Sequence, residues 1–488
     1  MKPMTLDPKE TGGRALYLQI CDHIKNQILH GEASAGEKLP SLRRLSGELG
    51  VSITTTELAY NQLMVEGYIT SRPQSGYYIA EVLSVGTQPV GTMSAPVRPD
   101  RSQQQPRDTS VIYDIRDYTL EGSPYLYDLS CFDFNKWKKC ASKVFNEYSH
   151  LLLFESNPQG ESALRFEIAK YIYNSRGVSA SPEQIVIGAG TQQITSHLSR
   201  IMSKLGIRHV SLESPGYLPV QQQFSDGGFT LSHIPVGDDG IEIERLPVNI
   251  PSAVYVSPSN QFPTGAVMPV GRRYELLEWA RSNQSIIIED DYDSELRYFG
   301  RPVPALQGLD EGGHVVYLGS FSSTLFPAVK IAYMVLPPQL SEIFGKIKDQ
   351  YTQTCSKAEQ LTLAFFMEDG YYYTGIKKLR NLYAQKLQTA IAAFTRHGSE
   401  FVTPLDTQSG INLSVQVRSP KTAEELSALA KSLQLHVIPL SRVSEPDGGS
   451  DACRTHRTST LIFYYNQVPL AELDERIRQL LEVWHVQN

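Results

Sequence analysis

The run IVIGAGTQQITSHL, residues 185–198, carries the clearest chemical signature in the chain. Apolar Ile185–Ile187 read as a strand, and Gly188, Gly190, Thr191 and Gln192 open the helix that follows. N–H groups at a helix N-terminus carry partial positive charge and glycines allow close approach, so this turn suits a phosphate. The same GxG spacing also occurs in tight turns that bind nothing. A second cluster, IIIEDDYDSEL at residues 286–296, sets Asp290 and Asp291 at the end of an apolar run, as strand-end caps or as ligand-facing charges. A third, GSFSSTLFPAVKIAYMV at residues 319–335, holds the hydroxyls of Ser320, Ser322 and Ser323 and the ammonium of Lys330. The eleven histidines show no HExxH-like metal spacing. The five cysteines are scattered, without a CxxC pair, and read as buried thiols.

These residues need a scaffold of several parts, because 488 residues exceed what one hydrophobic core usually serves. Apolar and charged fractions of 41% and 20% are those of an ordinary soluble protein. No apolar run of about 18 residues suggests a membrane span. Residues 1–13 lack the apolar stretch of a secretory signal, which predicts a cytoplasmic location. A Pro-, Gly-, Ser- and Gln-rich segment at 83–111 is expected to link a domain over 14–82 to one over 112–488.

In the first domain, Leu16, Ile20, Ile24 and Ile28 recur at four-residue spacing and mark a helix ending near Gly31. Leu42, Leu45 and Leu49 form the stripe of a second helix, and Leu58, Leu63 and Met64 that of a third, opened by Ser52 and closed at Gly67. Residues 68–72 and 76–80 read as a hairpin. Three helices and a hairpin make a winged helix-turn-helix, whose third helix would enter the DNA major groove. In the second domain, helical stretches alternate with β-rich runs at 184–187, 209–212, 253–257, 285–289, 314–318 and 331–335. Such alternation predicts an α/β domain with a mainly parallel sheet. The chain turns helical from about Leu340, and a smaller α+β domain is expected beyond Gly398.

The motifs KLPSLRRL, LGVS, AYNQLMVEGY and RPQSGYY, in this order, resemble the DNA-binding domain of the GntR family. The resemblance implies phosphate contacts from Arg43 and Arg44 and hydroxyl contacts from Ser52, Thr54 and Thr55 at the recognition-helix N-terminus. It further implies a wing, carrying Arg72, Ser75 and Gly76, beside the minor groove. Ile53 and Glu57 depart from the pattern, which commonly has basic residues there. With a net charge of −7, and eight Lys/Arg against eight Asp/Glu in the first 80 residues, pattern rather than bulk charge carries this reading.

From about 115 to 485, ESPGY, SPSNQFPTG, EDDYDSEL and the 319–335 run resemble fold-type I aminotransferases, which bind pyridoxal 5′-phosphate. A winged helix joined to such a domain is the layout of the MocR-type regulators within GntR, and the wording is closest to their GABA-responsive member. The resemblance implies Asp290 at the pyridine nitrogen, Tyr292 at the phenolic oxygen and Tyr217 stacked on the ring. Gly190, Thr191, Gln192, Ser320, Ser322 and Lys330 would hold the phosphate, with Lys330 where an arginine is usual. Ser323 stands at the Schiff-base lysine, and a hydroxyl cannot form an imine. Pro219 and Gln467 stand where effector-gripping arginines are expected.

The combined expectation is a regulator that binds double-stranded operator DNA and a small-molecule effector. It would hold pyridoxal 5′-phosphate or a related form non-covalently and act as a head-to-tail homodimer without catalysis. Two alternatives stay open from the sequence. One is a pyridoxal-phosphate-dependent aminotransferase with an appended DNA-binding domain, and the other a DNA-binding protein whose pocket has decayed.

Overall fold

The computed structural model describes residues 15–29, 31–72, 75–80, 128–298, 304–405, 410–443 and 457–485. The chain divides into two compact units, Met1–Tyr113 and Asp114–Asn488. The segment expected to be a linker, the N-terminal segment 1–13 and Cys453 lie outside the described residues.

The first unit runs α1 (Leu16–Leu29), α2 (Leu42–Leu49), α3 (Ile53–Val65), β1 (Ile69–Arg72) and β2 (Gly76–Ile79). The Ser41 side chain accepts the Arg44 N–H to start α2, and Ser52 accepts the Thr55 N–H to start α3. Ile20, Ile24 and Leu45 are buried as their spacing predicts, against Cys21, Ala59, Tyr60, Leu63, Ile69 and Ile79. Leu58 is the exception, at 50% exposed. The core stripe of α3 is Thr56, Ala59, Tyr60 and Leu63, and this i, i+3, i+4, i+7 pattern leaves Leu58 on the opposite face. Strands β1 and β2 pair antiparallel with Arg72 opposite Gly76.

The second unit begins with α4 (Phe134–Glu147), α5 (Ser162–Arg176), β3 (Ile185–Gly188) and α6 (Thr191–Lys204). It continues through β4 (His209–Ser214), α7 (Leu218–Asp226), β5 (Thr230–Gly237), β6 (Gly240–Ile241), β7 (Ala253–Val256) and α8 (Val270–Ser282). Then follow β8 (Ile286–Asp290), β9 (Val315–Ser320), β10 (Ala332–Val335), α9 (Pro338–Ile347) and α10 (Lys357–Glu368). The strands form one sheet in the order β3-β10-β9-β8-β7-β4-β5-β6. Six strands point the same way, while β10 and the edge strand β6 run antiparallel. All residues of β3, β7, β8 and β10 are buried, as Val/Ile-rich strands covered on both faces must be. Val186, Ile288 and Met334 pack toward α6, α7 and α9, whereas Ile185 and Ile187 pack toward α5 and α10. All six expected strands are present. The edge pair β5 and β6 went unread because Thr230–Gly237 alternates weakly and holds Pro235, and Gly240–Ile241 is too short to leave a pattern.

The long helix α11 (Tyr371–Gly398) leads to β11 (Val402–Pro404), β12 (Leu413–Ser419), α12 (Ala423–Ser432), β13 (Val437–Pro439), β14 (Arg457–Phe463) and α13 (Leu473–His485). The four strands form an antiparallel sheet in the order β11-β12-β14-β13, packed on α11, α12 and α13 as the expected α+β domain.

Gly160, just before α5, has φ +100°, and a Cβ there would lie 2.7 Å from Ile187 of β3. The close approach lets the Ile187 N–H reach the Gln159 carbonyl at 3.0 Å, fixing the strand that feeds the phosphate-type turn. Gly160→Ala is expected to cost about 1–3 kcal/mol from overpacking alone, read as a lower denaturant midpoint.

Candidate functional site

The carboxyl ends of the parallel strands β3, β4, β7, β8 and β9 open on one edge of the large sheet, where ligands of α/β folds bind. Gly188 ends β3, and Gly190 caps α6 with φ +85°, a left-handed conformation that a side chain rarely adopts. No atom lies within 4 Å of where a Cβ of Gly190 would be, so the space over the first turn of α6 is open. The N–H groups of Thr191 and Gln192 fall in that turn, where a helix has no internal acceptor to offer.

The sheet register brings the serine loop to the same place. Ala332 of β10 lies opposite Gly188 on one side and Ser320 on the other. Ser320 Oγ accepts the Ser322 N–H at 3.3 Å, leaving its own hydroxyl able to donate. The Ser322 hydroxyl donates to the Val329 carbonyl at 3.1 Å and so staples the loop. Lys330 is exposed, and its backbone carbonyl receives the Cys355 thiol.

Asp290 is the last residue of β8 and is buried. Burial pushes its carboxyl up to about 7, against the opposing effect of a hydrogen bond from the Tyr255 hydroxyl on β7. Tyr217, at the start of α7, is 45% exposed, and its phenol is raised by burial and then by the charge of Asp290. A cleft of about 140 Å³ opens here, lined by Glu213, Tyr217, His233, Tyr255 and Phe262 among others. Tyr292 meets the Phe262 ring edge to face at 6.5 Å. Burial pushes Glu213 up to about 8, while the Ser257 N–H and the Gln261 amide donate to it.

Ser323 hydrogen-bonds to the carboxylate of Asp293, which burial pushes up to about 6. Tyr464 senses the charge of Asp293 and stacks on His436 at 4.2 Å. Gln467 lies behind this stack, with its amide 3.4 Å from His436 Nδ1, and half-buried Pro219 stands in the first turn of α7. Asp291, next to Asp290, takes a different part: Arg176 grips it through Nε at 2.7 Å and Nη2 at 2.9 Å, and Tyr317 donates at 2.6 Å. Tyr255, Asp293, Tyr464 and Arg176 went unnoticed in the sequence. Asp293 had a signal, as the third aspartate in EDDYDSEL, whereas Tyr464 had none.

In the first unit, Arg43, Ser52 and Thr54 are exposed and Thr55 is half-buried, its hydroxyl 2.8 Å from that of Ser52. Arg44 pairs with Glu48 at 2.7 Å on the surface, a contact weak enough to yield to a phosphate. Arg72 lies over the Tyr78 ring at 4.4 Å, and Ser75 meets the Tyr78 hydroxyl at 2.6 Å, so Tyr78 organises the wing ahead of Gly76. Lys38, absent from the sequence reading, bridges to Tyr78 from the α1–α2 connection.

Residues 16–79 match the family described as bacterial regulatory proteins, gntR family, and residues 123–450 match aminotransferase class I and II. The HTH-type transcriptional regulator YdeL of Bacillus subtilis is 35% identical over 96% of this chain and 97% of its own. The probable rhizopine catabolism regulatory protein MocR of Rhizobium meliloti is 33% identical over 88% of this chain and 87% of its own. The chain belongs to the MocR-type subfamily of GntR transcription regulators. This MocR-type regulator is therefore a DNA-binding protein that joins a winged helix to an aminotransferase-class domain. A multiple substrate aminotransferase from Thermococcus profundus shares its fold, with a TM-score of 0.63 at 24% identity over 75% of the regulator and 92% of that chain. So does LysN, the α-aminoadipate aminotransferase of Thermus thermophilus, with a TM-score of 0.63 at 23% identity over 74% and 90%. Among the described residues of the regulator, no helix is long and apolar enough to cross a membrane, and no cluster of metal-ligating side chains forms.

Proposed function

We propose that the regulator works in the cytoplasm as a homodimer and that its aminotransferase-class domain senses a pyridoxal-phosphate-type ligand held without a covalent bond. The residues fit such a group in three places. The open first turn of α6 at Gly190, with Ser320 beside it, suits a phosphate. Asp290, buried beside Tyr255, suits the ring nitrogen, because a pyridinium N–H stabilises the charge that burial disfavours. Tyr217 and Tyr292 offer a ring face and a phenol at the same edge. Bound there, the group supplies a phosphate, a ring nitrogen and a substituent at C4′ for recognition.

The observation that carries the non-covalent reading is Ser323, a hydroxyl hydrogen-bonded to a buried carboxylate where the resembled enzymes have their lysine. A serine supplies neither an imine nitrogen nor a base for proton transfer, so transamination is absent. Pro219 and Gln467 carry no charge, which disfavours an effector gripped by paired guanidinium groups. The phosphate contacts proposed are Gly190, Thr191, Gln192, Ser320 and Ser322, with the exposed Lys330 on the same loop.

On DNA, Arg43, Arg44, Ser52, Thr54 and Thr55 meet one face of the operator and Arg72, Ser75 and Gly76 its minor groove. Two winged helices, exchanged head to tail across the 83–111 segment, read two half-sites. A mobility shift with the chain's own upstream region, at several salt concentrations, tests the DNA half. Arg72→Ala is expected to weaken binding across sequences and to lower the salt slope by about 1. Calorimetry of the full chain with pyridoxal and pyridoxamine 5′-phosphates tests the sensor half. Absence of any heat would sink that reading, and turnover in a half-transamination assay would restore the enzyme alternative.

A further inference from the structure

The acid that follows Tyr292 meets Ser323 but has no ligand contact assigned to it above. Asp293 is 3% exposed and holds φ +56°, in the left-handed region where Asp is among the few side-chain-bearing residues that are enriched. Ser323 approaches its carboxylate, whose Oδ1 is buried with no hydrogen-bond partner among the described residues. Leaving a buried carboxylate oxygen without a donor is expensive.

Some buried acids of the domain, such as Glu289, are met by neutral donors on both oxygens, and two others are met by cations. Asp291 takes a bidentate Arg176, and Asp128 takes the ammonium of buried Lys386. No cationic side chain among the described residues plays this part for Asp293, whose charge falls instead on the phenols of Tyr292 and Tyr464 and on Asp290. The resemblance places a lysine at residue 323. A lysine there would bring an ammonium to this carboxylate, and the serine leaves the acid in place without its cation. The missing positive charge belongs to whatever occupies the site.

We propose that Asp293 selects ligands carrying a primary ammonium at the atom facing Ser323, so that the regulator senses an amine form such as pyridoxamine 5′-phosphate and discriminates against the aldehyde. This rests on the cofactor-shaped reading of the site given above. An ammonium donates to Oδ1 of Asp293 and to the Ser323 oxygen together. An aldehyde oxygen donates nothing and places a second acceptor against the carboxylate.

The test is calorimetric titration of the full-length protein with pyridoxamine 5′-phosphate, pyridoxal 5′-phosphate and 4′-deoxypyridoxine 5′-phosphate, which carries a methyl group in place of the amine. The amine is expected to bind at least about tenfold more tightly than the methyl compound, as a charge-assisted hydrogen bond in a buried site provides. The aldehyde should be no tighter than the methyl compound. In Asp293→Asn the amine preference should vanish while affinity for the methyl compound is kept. Equal affinities for the three ligands in the unaltered protein would overturn the proposal, since Oδ1 would then be satisfied by water. Persistence of the amine preference in Asp293→Asn would also overturn it. Failure of all three ligands to bind would remove the cofactor-shaped reading itself, an outcome distinct from equal binding.

Discussion

Replacing Ser323 with lysine is expected to turn a reversible site into one that captures pyridoxal 5′-phosphate covalently. The lysine amine condenses with the aldehyde and water leaves, and borohydride then reduces the carbon–nitrogen double bond to a stable secondary amine. Mass spectrometry after proteolysis should place the adduct on residue 323 at close to one per chain, against background labelling in the unaltered protein. The expectation follows from how little else must change. Gly190 leaves the first turn of α6 open, Asp290 stands at the end of β8 beside Tyr255, and the carboxylate of Asp293 already meets the side chain of residue 323. The same variant should lose its preference for the amine ligand, because lysine fills the place of the ligand's ammonium. A folded Ser323→Lys protein with no adduct at residue 323 would show that this loop does not face the ligand.

Arg176→Met is expected to destabilise the aminotransferase-class unit by about 3–5 kcal/mol, the usual cost of breaking a buried ion pair from one side. The guanidinium holds both oxygens of Asp291 and donates to Ser259 Oγ at 2.6 Å, and all three side chains are buried. Without it, Asp291 keeps only the hydroxyls of Tyr317 and Ser294. Arg176→Lys should recover only part of the loss, since an ammonium cannot reproduce the two-pronged grip. Scanning calorimetry of the three proteins would show the ranking. An Arg176→Met protein that melts with the original would mean that the pair is not buried in solution. The effect reaches the candidate site through chain connectivity, because Asp291 anchors the strand end that presents Asp290.

Much of the fold was legible because it is written in short-range periodicity. Four-residue spacing in Leu16–Ile28, the Leu42, Leu45 and Leu49 stripe and the Ser52 cap announced the first two helices and the start of the third. Unbroken Val/Ile runs announced the central strands. Leu58 was misjudged because α3 carries apolar residues on several sides, so local pattern could not say which face would meet α1 and α2. Strand β5 was missed because its outer flank is paired only by the two residues of β6, which leaves that flank mostly bare and tolerant of Pro235.

The sequence by itself determined the winged helix, the phosphate-type turn at Gly188–Gln192, the acids after β8 and the serine at residue 323. Each depends on residues a few positions apart, whose relation the backbone imposes directly. The tertiary structure alone decided which of those groups are free to act. The Ser322 hydroxyl donates to the Val329 carbonyl, Asp291 belongs to Arg176 115 residues away, and Tyr255 reaches Asp290 across 35 residues. Asp293 has Ser323 at its carboxylate and a buried Oδ1 with no hydrogen-bond partner among the described residues. Whether a buried acid has its counter-charge depends on what the folded chain brings to it from elsewhere, and that information is absent from any local run of residues.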